Sequence, residues 1–180
     1  MADLKRYVVG LDDKGKSAVL QTGVPNQQEF PGFFWRATLW KTHETPVDNS
    51  IPGDRSVEGG AARSPFPNGM LVRAMEFWPE PDPETTEKLF ADLNKVAAEN
   101  HQPAQADKPR HPTMHKTDTL DVFHIVRGEI YLVLDEDEIL LKPSDTVVIQ
   151  GSNHGWSNRG TEPCLILGSM TDALPRELAE

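Results

Sequence analysis

Between residues 111 and 128 the chain reads HPTMHKTDTLDVFHIVRG, which puts His111, His115, His124, Asp118 and Asp121 into one short stretch. Imidazole beside carboxylate is the pairing that a metal site needs, and proton transfer needs it equally. Alternate side chains of an unbroken strand share a face, so His115, Thr117, Thr119, Asp121, Phe123 and Ile125 point one way. His124 then points the other way, and its apolar neighbours give it a structural role, packed or paired under a second sheet. Further on, TVVIQGSNHGWSN ends a strand in a turn, after which His154, Trp156 and Asn158 share a face. Two strand ends that each offer a histidine can converge at the mouth of a barrel. His115, Asp121 and His154 are therefore the candidate catalytic residues and the candidate metal ligands, with Thr117, Phe123, Trp156 and Asn158 as substrate contacts. Pro112 restricts His111 to an extended conformation and leaves it at the rim.

The elements that must position these residues are mostly short strands. RYVVGL and SAVLQT flank DDKGK as a hairpin with Gly15 at its tip, and FFWRATLWKT alternates as a strand. HETPVDNSIPGDRSVEGGAARSPFPNG has no periodicity and reads as one long loop, a feature that is usually functional or mobile. MLVRAMEFW resumes strand character until PEPDPE, whose prolines stop it. Asp82 can cap a helix that starts at Pro83 and runs to about residue 100, with Leu89, Leu93, Val96 and Ala97 as its buried stripe. HQPAQADKPR is then a polar linker. From Thr119 onward DVFHIVRG, EIYLVLD, EILLK, TVVIQG, GWSNRG and PCLILGSM follow one another with close turns, the spacing of an antiparallel sandwich or barrel. The acidic DEDE lacks the glycine and spacing of a calcium loop and reads as a solvated hairpin tip.

At 180 residues the chain has room for one domain, 1–180, divided into arm strands and loop (1–80), helical insertion and linker (81–110) and a core (111–170). A formal charge of −10 with no basic patch disfavours nucleic acid and anionic membranes as partners. The lone Cys164, in CLILG, reads as a buried core thiol. MADLKRYVVG has no apolar stretch of signal-peptide length and no run approaches a membrane span, so a cytoplasmic location is expected. Phe33, Phe34, Trp35 and Trp40 could line a pocket for a flat aromatic substrate, although burial at a sheet or subunit interface is the more ordinary fate of such residues. An arm that crosses to a partner would protect an edge strand, and a homodimer is expected. His43 is assigned to the surface.

With these residues in place the chain resembles the cupin superfamily, whose fold is a jelly-roll barrel, or double-stranded β-helix. The first cupin motif, HxHxxxE followed by six residues and then glycine, aligns as His115, Thr117, Asp121 and Gly128. The second is similar to PSDTVVIQGSNHGWSN, with Asp145, His154 and Asn158 matching, Ser144 where the first glycine is expected and Gln150 near the proline position. LWKTHETPVDNS resembles the arms of a group of small single-domain cupins. The implied fold class is all-β: a cupin barrel with an N-terminal β arm and one inserted α-helix.

The departures bear on chemistry. Metal-binding cupins carry three histidines and a glutamate, and here Thr117 replaces one imidazole while Asp121 replaces glutamate. Two histidines and a carboxylate remain, the facial set that holds Fe(II) in non-haem oxygenases. The resemblance implies, first, an enzyme in which His115, Asp121 and His154 hold a divalent metal (Zn, Fe, Mn or Ni) for lyase, decarboxylase or isomerase chemistry on a small carbonyl or carboxylate compound. A metal-free alternative uses His154 as acid or base, tuned by Asp121, in a pocket dried by Phe123 and Trp156, as a dehydratase or isomerase. An Fe(II) dioxygenase and a non-catalytic binding or sensing barrel are the remaining readings.

Overall fold

The computed structural model describes residues 3–58, 64–97 and 109–175. Strands come first: β1 (Tyr7–Leu11), β2 (Ser17–Thr22), β3 (Asn26–Phe30), β4 (Phe34–Thr42) and β5 (Met70–Phe77). The helix α1 (Pro83–Ala97) follows, and then β6 (Thr119–Arg127), β7 (Ile130–Val133), β8 (Glu138–Leu141), β9 (Thr146–Gln150), β10 (Gly155–Ser157) and β11 (Cys164–Asp172).

β1 and β2 form a separate hairpin that turns through Gly15 at φ 69°, where a side chain would be strained. The other strands make two antiparallel sheets, one ordered β3-β4-β5-β11-β6-β9 and one ordered β10-β7-β8. Alternation decides which side chains meet between them. Leu71, Met75 and Phe77 of β5 and Phe123 and Ile125 of β6 pack against Ile130 and Leu132 of β7 and Trp156 of β10, forming the main core. The opposite face of β4 and β5 presents Trp35, Ala37 and Ala74, covered by Leu4 and Val24. Trp35 is thus buried away from the barrel interior, with its indole N–H donating to Gln27 Oε1 at 3.2 Å.

β3 was not expected, because NQQEF is polar and its only signal is the neighbouring β4 with which it pairs from Asn26↔Thr38 to Phe30↔Phe34. The long loop between β4 and β5 contains one short 3-10 turn, Arg55–Val57. It is tied to the chain start by Arg6, which donates to both Asp54 carboxylate oxygens at 2.9 and 2.5 Å. α1 begins as expected: Asp82 Oδ1 accepts from Thr85 N at 3.0 Å and Pro83 is the first helical residue. Leu89 packs on the core, while the side chains of Leu93, Val96 and Ala97, residues 98–100 and most of the linker lie outside the described residues. Among the described residues no helix is long and apolar enough to cross a membrane. Cys164 is fully buried, and desolvation pushes its thiol up to about 12.

Candidate functional site

β6 delivers the alternation read from the sequence. Thr119, Asp121, Phe123 and Ile125 are buried, whereas Leu120, His124 and Val126 are exposed. The outward direction of His124 is therefore as expected, but its placement under a second sheet is not: it lies on the exposed face and hydrogen-bonds Thr146 Oγ1 at 2.8 Å. Apolar residues on both faces of a strand do not reveal which face a second layer covers.

Ahead of β6, residue 115 joins the barrel through a reciprocal backbone pair: His115 N donates to His154 O at 2.8 Å and His154 N to His115 O at 3.0 Å. The two imidazoles stand with centroids 4.6 Å apart, tilted by 49°. Each ring is oriented by a backbone carbonyl, His115 Nδ1 by Thr113 O at 2.8 Å and His154 Nδ1 by Ser152 O at 2.9 Å. Because a carbonyl only accepts, Nδ1 carries a proton in both rings, and in the neutral form of each ring the lone pair is on Nε2. His154 is almost fully buried, and desolvation pulls its pKa below the usual imidazole value, so the ring is neutral at pH 7.

Asp121 lines the same cavity, with 1% of its surface exposed. Desolvation pushes its carboxyl up to about 6, against the smaller downward pulls of a Thr119 hydrogen bond and the Arg73 charge. Among the described residues Asp121 Oδ1 has no hydrogen-bond partner. A buried polar atom left in this state costs free energy and is a common mark of a functional site.

The cavity, about 80 Å³, is open on one side and lies between the two sheets. Phe33, Phe34 and Phe77 line one part of it and Phe123 and Trp156 another. Phe33 and Phe34 thus face the pocket, while Trp35 and Trp40 do not line it. Thr117 lines it too, its hydroxyl 2.7 Å from that of Thr119. Asn158, expected to touch substrate, is instead a structural residue outside the pocket wall. Its Nδ2 donates to Phe77 O and Glu162 O, both at 2.9 Å, and its Oδ1 accepts from Gly160 N at 3.0 Å. It sits one position beyond β10, where strand alternation no longer sets its direction. His111 lines a separate cleft, with Nε2 3.2 Å from Glu80 Oε1 and Nδ1 2.8 Å from Thr113 Oγ1. His43 is half-buried, stacked on Phe66 at 4.0 Å and paired with Glu58, and does not line the pocket.

Six lining residues went unread in the sequence, the apolar Met75, Phe77 and Met170 and the polar Thr113, Arg36 and Arg73. Thr113 holds both strand ends, since its Oγ1 also accepts from Trp156 N at 2.8 Å. The arginines carried a legible signal. In MLVRAMEF, Arg73 alternates with Leu71, Met75 and Phe77, so a charge sits in an inward position, and Arg36 stands opposite Met75 in the β4–β5 ladder.

The expected metal set is only partly assembled. Two imidazoles present their lone-pair nitrogens, but among the described residues no three His, Cys, Asp or Glu side chains are grouped closely enough to hold a metal ion. Thr117, at the position where a further imidazole would complete the set, has a hydroxyl engaged with Thr119. Among the described residues, His115, Asp121 and His154 are thus not grouped as a three-ligand metal site.

Residues 99–169 match the family model described as Cupin domain, Cupin_2. Two proteins of Diaporthe leptostromiformis, Phomopsin biosynthesis cluster proteins C' and D, are each 47% identical over 47 residues, 26% of this chain and 25% of theirs. The matched segment thus spans about a quarter of the length of these relatives. The cupin-domain-containing oxidoreductase virC of Hypocrea virens (strain Gv29-8 / FGSC 10586) is 23% identical over 184 residues, covering 94% of this chain and 76% of that one. Among solved structures, the Schizosaccharomyces pombe Cnp3 cupin domain has a TM-score of 0.46 at 14% identity, covering 93% of this chain and 87% of that one. The matched stretch contains both imidazoles and Asp121, so it is the part of the chain carrying the candidate site, residues 99–169, that is similar to the cupin domain.

Proposed function

We propose that the protein is a small-molecule enzyme of the proton-transfer type, an isomerase or lyase acting next to a carbonyl group, with Asp121 as the base. The observation that supports this most is Asp121 Oδ1, buried in an aromatic cavity and without a hydrogen-bond partner among the described residues. With its pKa at about 6 the carboxyl is mostly ionised at pH 7, yet basic enough to take a proton from carbon. That proton moves to Asp121, and the C–H electron pair becomes an enolate whose oxygen is stabilised by the nearby Arg73 charge. Return of the proton to a neighbouring carbon gives an isomer, and loss of a β-leaving group gives a lyase product. His154, neutral and with its lone pair on Nε2, accepts a hydrogen bond from a substrate hydroxyl. Phe123 and Trp156, edge to face at 5.8 Å, help exclude water and so strengthen each of these interactions.

The test is deuterium exchange. The full chain is incubated in D2O with 2-oxo acids and simple ketones, and loss of the C–H signal beside the carbonyl is followed by proton NMR. Exchange above background is expected, about 100-fold slower in Asp121→Asn and rising with pH through about 6 as the base ionises. Equal exchange in Asp121→Asn would sink the proposal. So would stoichiometric metal in protein purified without chelator and its loss in His154→Ala, a result that favours metal-held chemistry.

A further inference from the structure

We infer that the pocket selects a small flat organic anion, a single-ring aryl 2-oxo acid or a close analogue, whose carboxylate is received by Arg36 and Arg73. The inference rests on the reading of this cavity as a substrate site and adds the class of ligand.

Charge is the first argument. The chain carries −10 overall, yet the cavity lining holds two guanidinium groups against one carboxylate, Asp121, and His154 beside them is neutral. A cationic wall inside an acidic protein is costly to fold, and it is placed to receive an anion.

Position is the second. Thr38 pairs with Arg73 and Arg36 with Met75, which makes the arginines diagonal neighbours on the inner face of β4 and β5. Diagonal neighbours on adjacent strands lie roughly 7–8 Å apart, close enough for two long side chains to meet on one carboxylate. Gln28 Oε1 holds the fork of Arg36 through Nε at 2.9 Å and Nη2 at 2.6 Å, an uncharged clamp that orients the group in advance. Planar guanidinium suits a planar carboxylate, and arginine also stacks on rings, as Arg36 does 5.2 Å above Phe30.

The rest of the lining describes the body of the ligand. Phe33, Phe34, Phe77, Phe123 and Trp156 present ring faces and edges, and Met75 and Met170 fill between them. Such walls favour a flat apolar body, and a cavity of about 80 Å³ leaves room for no more than about one ring.

The experiment is isothermal titration calorimetry of the full chain with benzoate and with benzamide, its uncharged analogue of the same shape. Benzoate is expected to bind at least tenfold more tightly, and Arg36→Met and Arg73→Met are each expected to weaken benzoate at least tenfold while changing benzamide less than twofold. Arg73 is buried and its loss can unfold the barrel, so the half-buried Arg36 carries the test alone if Arg73→Met does not fold. Equal affinity for the two probes, no benzoate binding at millimolar concentration, or benzoate binding unchanged in Arg36→Met would each overturn the inference. Asp121→Asn separates it from the proposed reaction, because that variant is expected to keep benzoate selectivity while losing deuterium exchange. Selectivity without exchange in the wild type sustains the ligand class and overturns the reaction. Exchange without selectivity does the reverse.

Discussion

Asp121 concentrates the conflict between folding and chemistry in one residue. Its ordinary carboxyl pKa is 3.8, and burial raises it to about 6 in the fold. The folded state therefore holds its proton more tightly than the unfolded chain does, and the associated stability is complete below about pH 4 and lost as pH rises through about 6. The gap corresponds to about 3 kcal/mol. Asparagine at this position has no charge to bury, so Asp121→Asn is expected to gain on the wild type by about 3 kcal/mol between pH 4 and pH 8 in urea unfolding. A difference that does not change with pH would contradict the burial assigned to this carboxyl. His115, Asp121 and His154 were legible because strand alternation and motif spacing agree on their direction. Asn158 was misread because it lies just past the end of β10, where spacing along the chain no longer predicts direction. Arg36 and Arg73 could have been found, since a charge in an inward position of an apolar alternation is itself a signal.

At the scale of elements, the turn between β8 and β9 shows what a departure from a motif costs. Ser144, where the second cupin motif expects glycine, adopts φ 81°, a left-handed conformation unfavourable for a residue with a β-carbon. Three hydrogen bonds hold it there: Asp145 N to Lys142 O at 2.9 Å, Lys142 N to Asp145 Oδ2 at 2.8 Å, and Ser144 N to Ile125 O at 3.0 Å. Ser144→Gly is expected to stabilise the protein by about 1 kcal/mol, read as a rise of about 2–4 °C in Tm. Here sequence and backbone tell the same story, because a missing glycine marks the positive φ. β3 was hidden for the opposite reason: its polar residues carry little pattern of their own, and its strand character comes from the register with β4. α1 was legible at its start, where Asp82 and Pro83 act locally.

For the whole molecule, the β1–β2 hairpin is the least settled part. Tyr7, Val9 and Leu11 share one face and are 62%, 64% and 70% exposed, and Val19, opposite Val9, is 57% exposed. A two-stranded ribbon is marginal alone, and so much apolar surface on one is expected to be covered by a second copy of the chain. Light scattering should show a dimer, and Val9→Lys with Leu11→Lys should convert it to monomer; a wild-type monomer at micromolar concentration would remove this expectation. The barrel has a different kind of economy at its mouth. Since His115 and His154 are joined by their main chains, their alignment belongs to the backbone, and the rings are only what is currently mounted on it. Either ring can be exchanged during evolution while the socket stays in place, so new reactivity can be tried at this mouth without first rebuilding the barrel around it.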